Sequence, residues 1–404
     1  MKRRDYCEFD ERAAALTERR NLKMARSAHA FVRGATQKFY EWLDNSARFE
    51  LPQGPAVWIC GDCHSGNLGP LANAKGRTDI QIRDLDQTVI GNPAHDIIRL
   101  GLSLASSARG SDLPGVTTAR MMETLIDGYR LAFDGEPGPI ERPAAVREAL
   151  TNAVNRRWKH LAQERLGDER PRLTLGKHFW PITDAERADL TSLFADEKVR
   201  RMVTSLRGRD DDAVLDMLDA AYWVKGCSSL GRLRFAVLVA IGSAEGQRGG
   251  EMCLIDIKEA SKAVAPRYPD TDMPRDNGER VVTGAWHLSP ALGDRMVAGR
   301  VQDKSVFLRE LLPQDLKLDI EELTQDEAMR AARFLGHTVG QAHARQMEAD
   351  VRKAWFKELS RSRSKTLDAP GWLWSSVVDL MASHEGAYLE HCRRYAMTDV
   401  GQAA

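Results

Sequence analysis

The sequence lacks a net charge. Its 404 residues carry 58 Lys and Arg against 58 Asp and Glu. No overall field draws it to nucleic acid or to an anionic membrane, so neither is expected as a partner, and only a local basic patch could attract polyanions. It also lacks a long apolar run. The longest, Phe235 to Ile241, is far too short to span a bilayer. The first twenty residues, MKRRDYCEFDERAAALTERR, are charged throughout and lack the apolar core of a signal peptide. Cysteine is sparse, with six in the chain. Reduced thiols in a cytoplasmic protein are therefore expected. There is no internal repeat and no low-complexity segment. What remains is an ordinary globular composition, long enough for two or three domain-sized units.

The chain reads as helical, then strand-rich, then helical. Ala30, Phe31, Ala35, Phe39, Trp42 and Leu43 recur at helical spacing before residue 46. VWIC (57–60) predicts a short buried strand, and DIQIRDLD (79–86) a second one after a loop. HDIIRLGLSLASSA (95–108) predicts an apolar helix with Asn92 as N-cap and Pro93 at its first position. Residues 110–220 look mostly helical, with loop signals at GEPGP (135–139) and GDERPR (167–172). From about residue 222 the pattern changes. LRFAVLVAIG (233–242), MCLIDIKEA (252–260) and VFLREL (306–311) predict strands, the first two joined by a Gly-rich turn. Helix returns over 326–346, with Ala328, Ala331, Ala332, Leu335, Val339 and Ala342 on one face.

The segment CGDCHSGN (60–67) is the densest in chemistry-bearing residues. Its Cys-x-x-Cys could be a redox pair or half of a zinc site, but Cys227 and Cys253 are isolated and supply no second pair. Its Gly-Asp-x-His resembles a metallophosphoesterase loop, yet no upstream Asp-x-His accompanies it, which leaves that chemistry a minor alternative. A third reading uses spacing. In kinase catalytic loops an aspartate takes the substrate hydroxyl proton, an asparagine five residues later binds magnesium, and a following aspartate binds the ions on the nucleotide phosphates. Asp62 and Asn67 have that spacing, and Asp84 and Asp86 follow in IRDLD. Two carboxylates two apart on a strand face the same side, about 7 Å apart. A divalent cation would relieve their repulsion.

The string CGDCHSGNLG…IQIRDLDQTVIGNPAHDIIRL resembles the aminoglycoside-phosphotransferase-like branch of the protein-kinase-like superfamily. More closely, MARSAHAFVRGATQKFY, LGRLRF, IDIKEAS, GERVVTGAW and LGHTVGQAHAR resemble the bacterial family catalogued as domain of unknown function 2252. The superfamily resemblance implies Asp62 as catalytic base and Asn67 and Asp84 as magnesium ligands; Asp86, two residues on, is expected to support the metal. It also implies that Asp96 braces the catalytic loop by hydrogen bonds to its backbone. Cys60 stands where the superfamily usually has His.

A kinase fold also needs a Gly-rich turn and a strand lysine. Nothing before Cys60 is strand-rich enough. The candidates lie downstream: GCSSLG (226–231), offering Gly226, Ser228, Ser229 and Gly231 to phosphates, and Lys258 in LIDIKEA. Alternation there puts Ile255 and Ile257 on one face, Asp256 and Lys258 on the other. Lys258 needs an acid, for which Glu279 is the first candidate and Glu259 the next. Arg309, Glu310 and Leu311 are the candidate hinge, offering backbone groups to adenine. His343, Arg345, Arg157, Trp158 and Lys177 have no spacing that assigns them a role.

The expectation is an α+β, two-lobed, circularly permuted kinase-like fold. The large helical lobe would cover residues 1–220, the β-rich nucleotide lobe 221–315, and helices of 316–404 would pack back on the large lobe. The expected activity is ATP- and magnesium-dependent phosphoryl transfer to a hydroxyl of a small molecule or protein. AMP transfer on the same fold and a non-catalytic nucleotide-binding role stay open.

Overall fold

The structure, a computed structural model, describes residues 5–45, 51–134, 140–166, 171–206, 208–227, 229–242, 251–318, 324–359 and 369–396. The apolar spacing of the N-terminal segment yields α1 (Phe9–Met24), α2 (Ala28–Gly34) and α3 (Thr36–Asp44). Ser27 caps α2 by accepting from the Ala30 N–H. Short strands follow: β1 (Val57–Ile59), β2 (Leu68–Ala72), β3 (Thr78–Ile82) and β4 (Val89–Gly91). β1 pairs antiparallel with β4, and β2 with β3. CGDCHSGN is therefore the loop from β1 into a hairpin, and Asp84 and Asp86 follow that hairpin's second strand. Patterning does not reveal β2, because LGPLA is buried at every position and contains both Gly and Pro.

Asn92 accepts from the Ala94 N–H and starts α4 (Pro93–Gly110), with Pro93 in the first turn as expected. Fifteen of its eighteen residues are buried. A helix apolar on all sides belongs at the centre of a core, and the largest buried cluster surrounds it. α5 (Gly115–Leu131), α6 (Ala144–Asn155) and α7 (Trp158–Arg165) come next.

The sheet begins earlier than expected. β5 (Phe179–Trp180) and, after α8 (Asp184–Phe194) and α9 (Glu197–Thr204), β6 (Val214–Trp223) precede residue 224. β6 is hidden in the sequence because a register shift between Met217 and Asp219 breaks its period of two. Then come β7 (Arg234–Gly242), β8 (Glu251–Glu259), α10 (Asn277–Leu288), α11 (Pro290–Gly293), β9 (Met296–Val301) and β10 (Lys304–Glu310). All six strands form one antiparallel sheet in the order β5-β6-β7-β8-β10-β9. Phe235, Val237, Ile255 and Ile257 fill a second core on one sheet face, and Leu16 of α1 reaches into it.

α12 (Gln325–Ala344), α13 (Ala349–Glu358) and α14 (Gly371–Tyr395) complete the α+β architecture. α12 returns to the first core by crossing α5 at backbone distance. A Cβ on Gly336 would lie 2.2 Å from the Leu125 carbonyl oxygen, and one on Gly128 1.9 Å from that of Arg333. Gly336→Ala is expected to destabilise the fold by about 1–3 kcal/mol, the usual scale of overpacking, read as a lower urea midpoint. Just past α12, Gln346 accepts from the Trp58 N–H and donates to its carbonyl, fastening β1. Among the described residues no helix is long and apolar enough to cross a membrane.

Candidate functional site

Gly61 sets the turn out of β1. Its φ is +74°, and a Cβ there would lie 2.1 Å from the Gln87 carbonyl oxygen, so only glycine fits. The N–H groups of Cys60 and Gly61 both donate to Asp96, at 2.7 and 2.9 Å. The bracing role that the resemblance implies for Asp96 is thus present. Asp96 also accepts from His343 Nε2 at 3.1 Å. Tyr129 donates to His343 Nδ1 at 2.9 Å and accepts from Trp355 Nε1 at 3.1 Å. His343, at the end of α12, is therefore a buried brace of the loop.

Asp62 is buried at 8% exposure, and both its oxygens are engaged. Thr36 donates to Oδ2 at 2.8 Å. Arg99 donates from Nε to Oδ1 at 3.0 Å and pairs with it through Nη2 at 2.8 Å. Burial raises the Asp62 pKa, and Arg99 and Thr36 pull part of that shift back. Neither partner stands out in the sequence. For Arg99 a weak signal exists, as a lone arginine within the apolar run IIRLGL.

Asn67 donates to the Asp62 carbonyl oxygen at 3.0 Å, which leaves its own side-chain oxygen for another partner. The Arg83 N–H donates to the Asn67 carbonyl oxygen at 2.7 Å, so Asn67 and Asp84 sit together at the open end of the β2–β3 hairpin. Opposite them stands β8. Lys258 is 4% exposed, and its ammonium lies 3.2 Å from both oxygens of Asp84 and also contacts Asp86. Lys258 and Asp84, 174 residues apart, lie in contact.

The acid expected for Lys258 is a different one from those that pair with it. Glu279 is exposed on the first turn of α10 and lines a separate depression with Asp276. The neighbouring Arg280 turns inward instead and donates to the carbonyl oxygens of Asp86 and Ser261. Glu259 accepts from the Leu233 N–H and from Lys304.

The hinge expectation also changes. The backbone of residues 306–309 is paired on both sides, with β8 and with β9. The Leu311 N–H is held by the Leu254 carbonyl, and the Glu310 carbonyl by Arg295. No adenine can take those groups. The Glu310 carboxylate pairs with Arg209 on a buried ion pair. Arg309 does reach the cleft, but by its guanidinium, which donates to the Arg83 carbonyl and to Asp256.

Between hairpin and sheet lies a cleft of about 440 Å³. His64, Asn67 and Asp84 line one side, and Lys225, Gly226, Ser229, Arg234 and Arg309 the other. Gly226 (φ +93°) and Gly231 (φ +96°) take the left-handed backbone that tight turns need. Gly231 does not line the cleft, and Ser228 lies outside the described residues. Arg157, Trp158 and Lys177 do not line it either.

The two aspartates after the hairpin differ in access. The Asp84 side chain is 43% exposed and opens to the cleft, against 11% for Asp86. Burial works against ionisation of Asp84, but Lys258 and Asp86 outweigh it and hold the group low. Burial and then the Asp84 charge push Asp86 up to about 6. Asp86 Oδ1 is buried without a hydrogen-bond partner. That orphan oxygen, the open Asp84 carboxylate and the free Asn67 oxygen suit a hard divalent cation. Among the described residues no three His, Cys, Asp or Glu form a metal site of their own. A cation here would complete its shell from phosphate oxygens and water. Cys60 and Cys63 are free buried thiols, and contact with Cys63 together with burial raises the Cys60 pKa, the opposite of a reactive thiol.

No curated protein and no solved structure matches this chain. A profile of the family described as "Uncharacterized protein conserved in bacteria (DUF2252)" matches residues 12–394. With nearly the whole chain covered, the protein belongs to the DUF2252 family.

Proposed function

We propose that this protein is an ATP- and magnesium-dependent phosphotransferase acting on a hydroxyl, built on a circularly permuted, two-lobed kinase-like fold. The observation that carries the reading is the Lys258 ammonium held directly against Asp84 and Asp86, beside a cleft that Asp84 and Asn67 line. Kinase-type catalysis is mostly positioning and charge neutralisation, and in protein kinases it uses a strand lysine on the phosphates together with an aspartate and an asparagine that hold the metal. Asp84, Asn67 and Asp86 would hold magnesium, which when bound neutralises and bridges phosphate oxygens. Lys258 would leave part of its contact with Asp84 for a phosphate oxygen. Asp62 would receive the acceptor proton as the acceptor oxygen bonds to the terminal phosphorus. The bond to the nucleoside diphosphate then breaks, and its electron pair leaves with that diphosphate. A carboxylate has about four lone-pair sites, so Thr36 and Arg99 leave Asp62 capacity to accept a hydroxyl.

Asp84→Ala is expected to abolish metal-dependent nucleotide binding in a calorimetric titration with and without magnesium. Retained metal-dependent binding would falsify the assignment of this carboxylate. The wild-type affinity should also depend on pH. Asp86 has its pKa raised from the ordinary 3.8 to about 6, so protons compete for the pair below about 6. Magnesium-dependent binding should strengthen as pH rises through that value and level off above it. The stability sign is opposite: the folded state binds the extra proton, so stability should fall as pH rises from about 4 to about 6.

One observation favours a second reading. Asp62 is buried and paired to Arg99 and Thr36, as suits a structural carboxylate in a nucleotide-binding protein without turnover. In that case magnesium-nucleotide would bind, and no phosphorylated acceptor would form.

A further inference from the structure

The cleft is rich in cations and poor in surfaces for a base. Lys23, Arg33, Arg165 and Lys225 all line it. Among the described residues none of these four has a carboxylate partner. Lys23 donates only to the Gly226 carbonyl oxygen, at 2.7 Å, and the Arg33 guanidinium lies over Gly66 of the catalytic loop. Lys225 and Arg165 rest on the Trp223 ring, 4.0 and 5.6 Å from its centroid. Of the acids, only Asp84 lines the cleft. Unpaired cations in a half-enclosed site call for an anion. Burial, and then Arg234, push the Lys225 pKa well below its usual value, a shift that a bound anion would reverse.

The same walls offer a purine little. Trp223, the one indole in the cleft, is 2% exposed and already covered by Lys225, Arg165 and Arg234. Where the sheet faces the cleft it presents ions. Arg234 pairs with Asp256 at 2.6 Å, and Arg309 reaches the same carboxylate at 3.4 Å. The backbone groups of the last sheet strand are consumed. So are several of the segment after it: the Leu312 N–H goes to Asp315, the Pro313 carbonyl to Arg156, and the Asp315 carbonyl to Arg83. Edge-on recognition of a base needs free backbone donors and acceptors beside an apolar slot; the lining of this cleft is mainly charged and polar, and the apolar recess beside Leu311, Leu312 and Pro313 is a separate one.

We propose that this cleft recognises a polyphosphate chain and is indifferent to the base attached to it. The proposal deepens the phosphotransferase reading and rests on the same cleft being its nucleotide site. It names the ligand class as triphosphate-bearing anions, with the base left outside. The test is calorimetric titration of the full chain with magnesium and, in turn, ATP, GTP, inorganic triphosphate and adenosine. The three triphosphates should bind within about tenfold of one another, and adenosine should not saturate. Lys225→Met and, separately, Arg165→Met should weaken all three triphosphates by one common factor of about tenfold, equivalent to about 1.4 kcal/mol. A preference for ATP above about tenfold over inorganic triphosphate, with adenosine competing, overturns base indifference and leaves the phosphotransferase reading intact. Failure of all three triphosphates to bind overturns that reading and this one together.

Discussion

If the proposed phosphotransferase reading holds, Asp62→Asn is expected to lower phosphoryl-transfer turnover by about 10²–10⁴-fold, the range for a lost general base. The structure adds a second expected effect. Arg99 is fully buried, and Asp62 is the one carboxylate shown paired with it. Asparagine leaves that guanidinium charged and uncompensated, which costs about 3–5 kcal/mol when a buried pair is broken. Activity and stability therefore both fall, and they must be separated. The measurement is turnover per folded molecule, with the folded fraction taken from a urea titration of the same sample. A variant that loses stability but keeps its turnover per folded molecule shows that Asp62 only anchors Arg99. That outcome would remove Asp62 from the chemistry and favour the non-catalytic reading.

Asp96→Ala removes an acceptor from three buried donors at once: the Cys60 and Gly61 N–H groups and His343 Nε2. Each stranded donor costs about 1–3 kcal/mol. A total loss of about 3–6 kcal/mol is expected after partial relaxation, enough to unfold a large share of a marginally stable protein. In hydrogen exchange the amides of Cys60 and Gly61 should lose protection before those of the sheet. A loss below about 1 kcal/mol would mean that water or a shifted His343 replaces the carboxylate, and the loop would not depend on α4 for its shape.

Much of the fold was legible because its signals are local. Asn92-Pro93 before an apolar run marks α4, and alternation in LIDIKEA puts Asp256 and Lys258 on the face opposite Ile255 and Ile257, where they meet Arg234 and Asp84. The catalytic-loop reading used only the five-residue step from Asp62 to Asn67, a spacing any single sequence displays. The misses have physical causes as well. β6 carries an irregularity at Met217–Asp219, so its period fails where it would have been read. The acid expected to face Lys258 is Glu279, on α10. One helical step decides which residue of that helix points inward, and it is Arg280 that does so while Glu279 faces out. The nearer-to-cleft partner, Asp84, lies 174 residues upstream, and no local pattern encodes a contact over that distance. Lys23, Arg33 and Arg165 were also invisible. Lys23 and Arg165 sit in charge-rich segments where a cation aimed at a cleft looks like any solvated one, and Arg33 stands alone in SAHAFVRGATQ with no spacing that gives it a role.

The buried relay from Trp355 through Tyr129 and His343 to Asp96 has a consequence for synthesis. His343 follows Asp96 by 247 residues. At a translation rate of about 5–20 residues per second, about 12–50 s pass between the emergence of one partner and the other. During that interval Asp96 lacks its imidazole, and the segment that carries Asp62 is tethered to an incomplete core. The newborn chain should thus stay protease-sensitive around residue 60 until α12 and α13 have left the ribosome, and ligand-binding competence should arrive in one late step.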